Sequence, residues 1–336
     1  MKRCQRCILP ETYPGISFDE HHICNRCHSW DVEYSKVDYR LLKKELDQLI
    51  EKKKEQAQKH GCPYDIIVPV SGGKDSAFVL YVMTKQYHCN VLAINYNNLF
   101  QTELARNNLQ TLIDHFDVPF LSVSLKPSLL KKAYKAGLER QKEFCLVCNC
   151  TGYWLLLHTL THYFLPYNYQ PLVIGGWSKL FEFDPQINTL DIKKYFDLLK
   201  TSDLLKEFTT YLDIRALEAL MENQDVRTAD TLQYIQLPDY MEWNHTKIVH
   251  LLEKEGWQRE KETDTHFDCW ASPIADWLEK QKYGLNQKTT TIASQVRAGL
   301  LSRETALELE SRSPEMDEHF DRFCDFLSIS KKTLKR

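Results

Sequence analysis

The sequence predicts an α/β fold: a parallel sheet with helices on its faces, a cysteine-rich N-terminal unit and a helical C-terminal region. Two observations lead there. Short β-branched apolar runs recur between residues 65 and 177, separated by stretches of helical character, an alternation that builds a parallel sheet. Two CxxC pairs crowd the first 27 residues, ahead of any such run. The chain has 336 residues, enough for about two domains.

Residues 1–30 are turn-rich and show no helical period. From Tyr39 to His60, Leu42, Leu46, Leu49 and Ile50 share one face, which predicts an amphipathic linker helix. DIIVPV (65–70) predicts a buried parallel strand. A helix over 74–87 follows, then a strand at NVLAINY (90–96), a helix over 102–115, a strand at PFLSVSL (119–125), a helix over 127–142 and a fourth strand at PLVIGGW (171–177). Beyond residue 184 the pattern is helical. Asn244 is placed to cap a helix running to Gly256, and Ser272–Pro273 opens another that stops near Gly284. The Leu-, Tyr- and acid-rich stretch 184–236 reads as a helical insertion packing on the sheet.

Hydrophobic residues are 43% and charged residues 26% of the chain, ordinary for a soluble globular protein. The net charge of −3 argues against general nucleic-acid affinity. No apolar run approaches the roughly 20 residues that span a bilayer, and MKRCQRC lacks the apolar core of a signal peptide. A cytoplasmic, non-membrane protein is expected. In that setting eleven cysteines point to metal or catalytic use rather than disulfides. Of the eleven glycines, four fall in the pairs Gly72–Gly73 and Gly175–Gly176.

Cys4, Cys7, Cys24 and Cys27 form two CxxC knuckles that can set four thiolates tetrahedrally around Zn²⁺. So short a segment builds little core, and metal ligation would supply its folding energy. His21, His22 and His28 lie close enough in sequence to substitute as ligands. Four cysteines leave no open coordination position, so the site reads as structural.

SGGKDS (71–76) directly follows the first strand and opens a helix. Glycines let the backbone approach an anion, and the helix N-terminus presents positive potential to it. Lys74 adds a point charge, while Ser71 and Ser76 add hydroxyls. The spacing is neither a Walker loop nor a dinucleotide fingerprint.

In this context SGGKDS resembles the signature of the PP-loop ATP pyrophosphatases. The resemblance implies a Rossmann-like sheet, ATP and Mg²⁺. It implies phosphate contacts from Ser71, Gly72, Gly73, Lys74 and Ser76, and a Mg²⁺ role for Asp75. AINYNNLFQTELARNNLQTLI is similar to that superfamily's nucleotide segment, which makes Asn97 and Asn98 candidates for adenosine, although the superfamily usually carries an acidic residue there. The opening CxRCxLPxTxPGIxFDxxxxCxxC and the stretches DTHFDCWASPIADWLEKQKYG and VRAGLLSRETALEL resemble N-acetyl sugar amidotransferases of surface-polysaccharide (lipopolysaccharide, O-antigen) biosynthesis. That resemblance implies adenylation of an N-acetyl group on a nucleotide-linked sugar, then displacement by ammonia to give an acetamidino sugar. It also implies a separate glutaminase that channels the ammonia.

FCLVCNC places Cys145, Cys148 and Cys150 just before an aromatic-rich helix, with Cys269 far downstream. They could be small apolar fillers. Cys145, Cys148 and Cys269 could instead hold a second metal or an iron–sulfur cluster, as in tRNA sulfur-transfer relatives of the superfamily, or one thiolate could carry sulfur. Asp268, with His266, is a candidate base or substrate contact. Gly175 and Gly176, followed by Trp177 and Lys179, could line the carboxyl edge of the sheet.

The expected division is a zinc ribbon (1–36), a linker helix (37–60), a nucleotide-binding α/β domain (61–183) and a helical insertion and C-terminal region (184–336). The expected activity is ATP-dependent amidotransfer. The alternatives are a PP-loop sulfurtransferase acting on tRNA or a small molecule, and a non-catalytic nucleotide-binding adaptor.

Overall fold

Four of the five strands in the computed structural model coincide with the apolar runs: β1 (Ile66–Pro69), β2 (Val91–Tyr96), β3 (Phe120–Val123) and β4 (Leu172–Gly175). The structure describes residues 2–33, 36–177, 191–222, 233–259, 267–285, 287–311 and 316–335. The fifth strand, β5 (Tyr234–Gln236), lies in the region expected to be helical. All neighbouring strands are parallel, in the order β3-β2-β1-β4-β5.

Helices α1 (Asn25–Glu33), α2 (Tyr39–Lys59), α3 (Lys74–Tyr81), α4 (Glu103–Phe116), α5 (Pro127–Gln141) and α6 (Cys145–Phe164) accompany this sheet. The helix expected over 74–87 is α3 followed by a π-helical turn, Val82–Gln86. Asp38 and Thr102 cap α2 and α4 through their side chains. The C-terminal part holds α7 (Ile192–Thr201), α8 (Leu205–Phe208), α9 (Ile214–Glu222), α10 (His245–Lys254), α11 (Ser272–Tyr283), α12 (Gln287–Arg297), α13 (Arg303–Ser311), α14 (Met316–Leu327) and α15 (Lys331–Lys335). Asn244 caps α10 as expected. In α11 the cap is Ala271; Ser272 and Pro273 are its first two residues, and Gly284 ends it at φ +72°. Ala271 is fully buried, and no side chain caps that helix.

Successive strand residues face opposite sides, and the two faces build two cores. Ile67, Leu92, Ile94 and Val173 pack with α5, α6, α7 and α14. Ile66, Val68, Val91, Ala93, Leu172 and Ile174 pack with α3, α4 and α10. A third core joins the four N-terminal cysteines, Ile8, Leu9 and Tyr13 to Leu285, Ile292, Ala293 and Ala306 of the C-terminal region. The N-terminal knuckle, small as it is, thus borrows its apolar partners from α12 and α13.

The connections place β2 and β3 on one side of β1, and β4 and β5 on the other. This reversal makes a crevice between the carboxyl ends of β1 and β4, the position where open α/β sheets take ligands. Among the described residues, no helix is long and apolar enough to cross a membrane.

Candidate active site and metal centre

The SGGKDS turn leaves β1 at this crevice. Gly72 sits at φ +89°, and a Cβ there would lie 2.0 Å from the Ala105 carbonyl oxygen, so only glycine fits. Gly73 is the N-cap of α3, and no side chain caps that helix. The helix N-terminus thus presents its positive end at the crevice, as an anion site requires. Inside the turn, the Ser71 amide donates to Ser76 Oγ (3.1 Å), Ser76 Oγ donates to the Gly73 carbonyl (3.2 Å) and the Gly73 amide donates to Ser71 Oγ (3.2 Å). Gln101 Nε2 donates to the Ser71 carbonyl at 2.7 Å.

Lys74 Nζ donates to Asp75 Oδ2 at 2.6 Å, and Trp243 Nε1 donates to Asp75 Oδ1 at 3.0 Å. Burial alone would raise the Asp75 carboxyl; the Lys74 ammonium, His245 and the indole N–H outweigh it and hold the group below its usual range. Burial, then the Lys74 charge, pushes His245 down to about 4, so it is neutral at pH 7.

Asp268 comes to the turn from the far end of the chain. Phe267 to Trp270 run beside the loop that follows β2. Thr102 donates its amide to the Asp268 carbonyl (3.1 Å), Trp270 donates its amide to the Phe100 carbonyl (2.8 Å), and Gln101 and Cys269 form an antiparallel bridge. The Asp268 carboxylate thereby lies against Gly73: a Cβ on that glycine would sit 2.9 Å from Oδ2. His266 and Lys179 lie outside the described residues.

A cavity of about 360 Å³ opens beside the turn. Ser71 and Ser76 of the turn, Asn95 of β2 and Asn98 just after it line one side, and Asn149, Gly152 and Tyr153 line it from α6. Of the residues expected to meet nucleotide, Ser71, Ser76 and Asn98 face this space. Asn97 does not; it is exposed, and its Oδ1 accepts from the Leu99 amide. Gly175 and Gly176 are close-packed instead. A Cβ at Gly175 would lie 2.3 Å from the Tyr234 hydroxyl, and one at Gly176 2.7 Å from the Asp75 carbonyl. They let β5 and the start of α3 approach β4, and so shape the crevice without lining the cavity. Cys148 is the residue of the α6 wall that the sequence singles out; Asn149, Gly152, Tyr153 and Leu156 of that wall, and Tyr234, are not. Their sequence signal is Gly152 within an aromatic helix, with Asn149, Tyr153 and Leu156 on its face.

Cys145 and Cys148 lie within the first turn of α6, rather than ahead of a helix, and Cys150 is fully buried in the core. Asn98 Nδ2 donates to Cys148 Sγ at 3.3 Å. Burial pushes the Cys148 thiol up to about 11, and also raises Cys145, Cys150 and Cys269. At neutral pH these are thiols. Among the described residues, Cys145, Cys148 and Cys269 do not form a set whose ligand atoms converge on a single ion.

Cys4, Cys7, Cys24 and Cys27 do. Their sulfurs lie within 4.8 Å of one another, with separations of 3.8 Å (Cys4–Cys27), 3.7 Å (Cys7–Cys24) and 3.6 Å (Cys24–Cys27). A tetrahedral ion with metal–sulfur bonds of about 2.3 Å has sulfur–sulfur edges of about 3.8 Å. The Cys7 and Cys24 amides donate to Cys4 Sγ at 3.4 and 3.3 Å, which suits a thiolate. His21, His22 and His28 are not part of the set, and His28 pairs with Asp19 at 2.8 Å.

Residues 261–336 match the family model described as "LPS biosynthesis protein WbpG-like, C-terminal domain". A curated relative, an uncharacterized protein of Methanocaldococcus jannaschii, is 24% identical over 148 residues; the match takes in 44% of this chain and about half (50%) of that relative's length. Solved structures with a similar fold include the NMN synthetase of Francisella tularensis (12% identity, 84% of this chain and 100% of that one, TM-score 0.33). Two others are an NH3-dependent NAD synthetase of Campylobacter jejuni (17%, 68% and 100%, TM-score 0.31) and a U34-tRNA thiolase of Methanococcus maripaludis with its [4Fe-4S] cluster (14%, 94% and 91%, TM-score 0.34).

Proposed function

We propose that this chain is an ATP-dependent amidotransferase that adenylates an N-acetyl group of a nucleotide-linked sugar and replaces its oxygen with ammonia. The observation that carries the reading is the SGGKDS turn. It is uncapped at the N-terminus of α3, placed at the sheet's crevice and continuous with a cavity through Ser71 and Ser76. The family match of residues 261–336 supports a role in lipopolysaccharide biosynthesis, and the same residues bring Asp268 to the turn.

In this reading the first-turn amides of α3, Lys74, Ser71 and Ser76 hold the pyrophosphate end of ATP. Asn95, Asn98 and the α6 face receive the adenosine. The amide oxygen attacks the α-phosphorus, the bond to the β-phosphate oxygen breaks and pyrophosphate leaves. Ammonia then attacks the activated carbon and AMP leaves with the oxygen; loss of protons from nitrogen gives the amidine. Lys74 offsets charge that builds on the departing pyrophosphate. Asp75 and Asp268 are the carboxylates available to a Mg²⁺ ion, which would supply further charge neutralisation. The N-terminal thiolates hold Zn²⁺ as a structural ion. A separate glutaminase supplies the ammonia, and the enzyme works in the cytoplasm. The domain division is that set out from the sequence.

The test is product analysis with an N-acetyl sugar nucleotide and ammonium. AMP and pyrophosphate are expected, with turnover greatly reduced in Lys74→Ala; ADP and phosphate as products would overturn the reading. A second reading, sulfur transfer on tRNA or a small molecule through an iron–sulfur cluster, is favoured by one observation: Cys148 lines the cavity, with Cys145 on the same helical turn.

A further inference from the structure

Helix α10 packs against α3 and has a tryptophan beyond each end. Trp243 Nε1 donates to Asp75 Oδ1 at 3.0 Å, and Trp257 Nε1 donates to the Gly72 carbonyl at 3.0 Å. Both indoles are only 2% exposed. Phe78 meets the Trp243 ring edge-on at 5.1 Å, and Phe267 meets Trp257 in the same way at 5.5 Å. Each N–H is therefore aimed by packing, and neither ring lines the cavity.

The peptide between Gly72 and Gly73 can in principle lie two ways, because glycine on both sides imposes little steric preference. One orientation turns the Gly72 carbonyl toward an incoming anion, and the other turns the Gly73 amide toward it. Trp257 holds the carbonyl, which leaves the Gly73 amide on the opposite side of the peptide, where it donates to the Oγ of Ser71, a residue that lines the cavity. Trp243 acts on the carboxylate next along. It takes one Asp75 oxygen while Lys74 takes the other, which fixes the Lys74–Asp75 pair at the first turn of α3.

We infer that Trp243 and Trp257 are positioning residues that set the SGGKDS turn in its anion-binding orientation, so that the segment after β5 tunes affinity for the pyrophosphate moiety of the nucleotide. The inference rests on the ATP reading above.

The experiment compares binding of inorganic pyrophosphate and of adenosine in the full chain. The proteins are wild type, Trp257→Phe, Trp243→Phe and a chain carrying benzothienylalanine at position 257. The last keeps the indole shape and replaces its N–H by sulfur, so it isolates the hydrogen bond from packing. Pyrophosphate should bind roughly three- to tenfold more weakly in each variant, the range expected for one lost hydrogen bond, with adenosine affinity unchanged. Equal weakening of both ligands would mean that the tryptophans only pack, and unchanged pyrophosphate affinity in the benzothienyl protein would likewise overturn the inference. Failure of the wild type to bind pyrophosphate at all would instead remove the ATP reading, and the inference with it.

Discussion

Arg303 donates from Nε to the carbonyl oxygen of Cys4 at 3.1 Å, across 299 residues of chain. The same nitrogen reaches the Cys7 carbonyl at 3.1 Å, so one guanidinium at the start of α13 grips the first CxxC knuckle. Arg3 answers in the other direction with an ion pair to Glu310 at 3.1 Å. The knuckle and the C-terminal region are therefore one folding unit in energetic terms, although they stand at opposite ends of the sequence.

The first prediction follows from that grip. Arg303→Met should lower stability by about 1–3 kcal/mol, since two carbonyls lose a charged donor. Metal removal by a chelator should act on the same element, because ligation energy here is folding energy. Both treatments should expose α12 and α13 to protease together with residues 2–33. Cys4→Ser or Cys27→Ser should mimic the chelator. One equivalent of zinc retained in both cysteine variants, with protease protection intact, would refute the structural-metal assignment.

A second prediction concerns Gly72. Alanine there must adopt φ +89° and pushes Cβ into the Ala105 carbonyl. The backbone alone costs about 1–2 kcal/mol, and relief of the contact moves the turn against α4. Gly72→Ala should lower the thermal midpoint and reduce nucleotide-dependent turnover together. Gly61→Ala is the control: φ is +63°, yet nothing lies within 4 Å of its Cβ, so it should lose some stability and keep turnover.

The contrast between these two glycines shows what was legible in the sequence. A GG pair between a β-branched run and a helix announces the turn, because local chemistry demands it. The three central strands β1, β2 and β4 are legible for the same reason: runs such as Ile66 to Val68 or Val91 to Ile94 can be satisfied only by burial on both faces. Strand β5 is not, since three residues carry no period and pairing with β4 alone defines it. Asp268 stands out in its polar cluster, but its place at the turn does not, and Trp243 and Trp257 give no signal at all: they reach the turn over separations such as the 168 residues between Trp243 and Asp75, which no local pattern encodes. Asn97 and Asn98 look alike in sequence. Asn98 lines the cavity, while Asn97 is exposed and caps the bend at Leu99, whose φ is +71°.

A third prediction is a pH dependence. His245 is held at about 4 by burial and by Lys74, against an ordinary value of 6.5. Between those values the unfolded chain binds a proton that the folded chain refuses. Stability therefore rises with pH across this window, is fully present above about 6.5, and is lost as pH falls toward 4. Asp75 is also depressed, so its own contribution disappears only at still lower pH, below the usual carboxylate range. Urea midpoints at pH 7.5 and pH 5 should fall further for wild type than for His245→Gln. Identical falls would show that His245 is not the group responsible.

The last prediction separates nitrogen from sulfur chemistry. An amidine-forming enzyme needs an activated amide oxygen and neutral ammonia, and no thiolate. The half-buried thiols of Cys145, Cys148 and Cys269 are all raised, Cys148 to about 11, so none is ionised at neutral pH without a metal to hold it. Added ammonium should therefore support activity that climbs with pH, as the ammonia fraction grows, and a co-expressed glutaminase should replace it. Cys145→Ser and Cys269→Ser should retain turnover. Cys148→Ser should lose more, because Cys148 lines the cavity and accepts from Asn98, but the loss should stay within about tenfold, the scale of one altered hydrogen bond. A sulfurtransferase would behave in the opposite way: each serine variant would be inactive, ammonium would have no effect, and anaerobically purified protein would carry iron and sulfide. AMP release with an N-acetyl sugar nucleotide, measured across ammonium concentration and pH for wild type and the three variants, decides between them. Inactivity of all three variants together with bound iron in the wild type would replace amidotransfer by sulfur transfer.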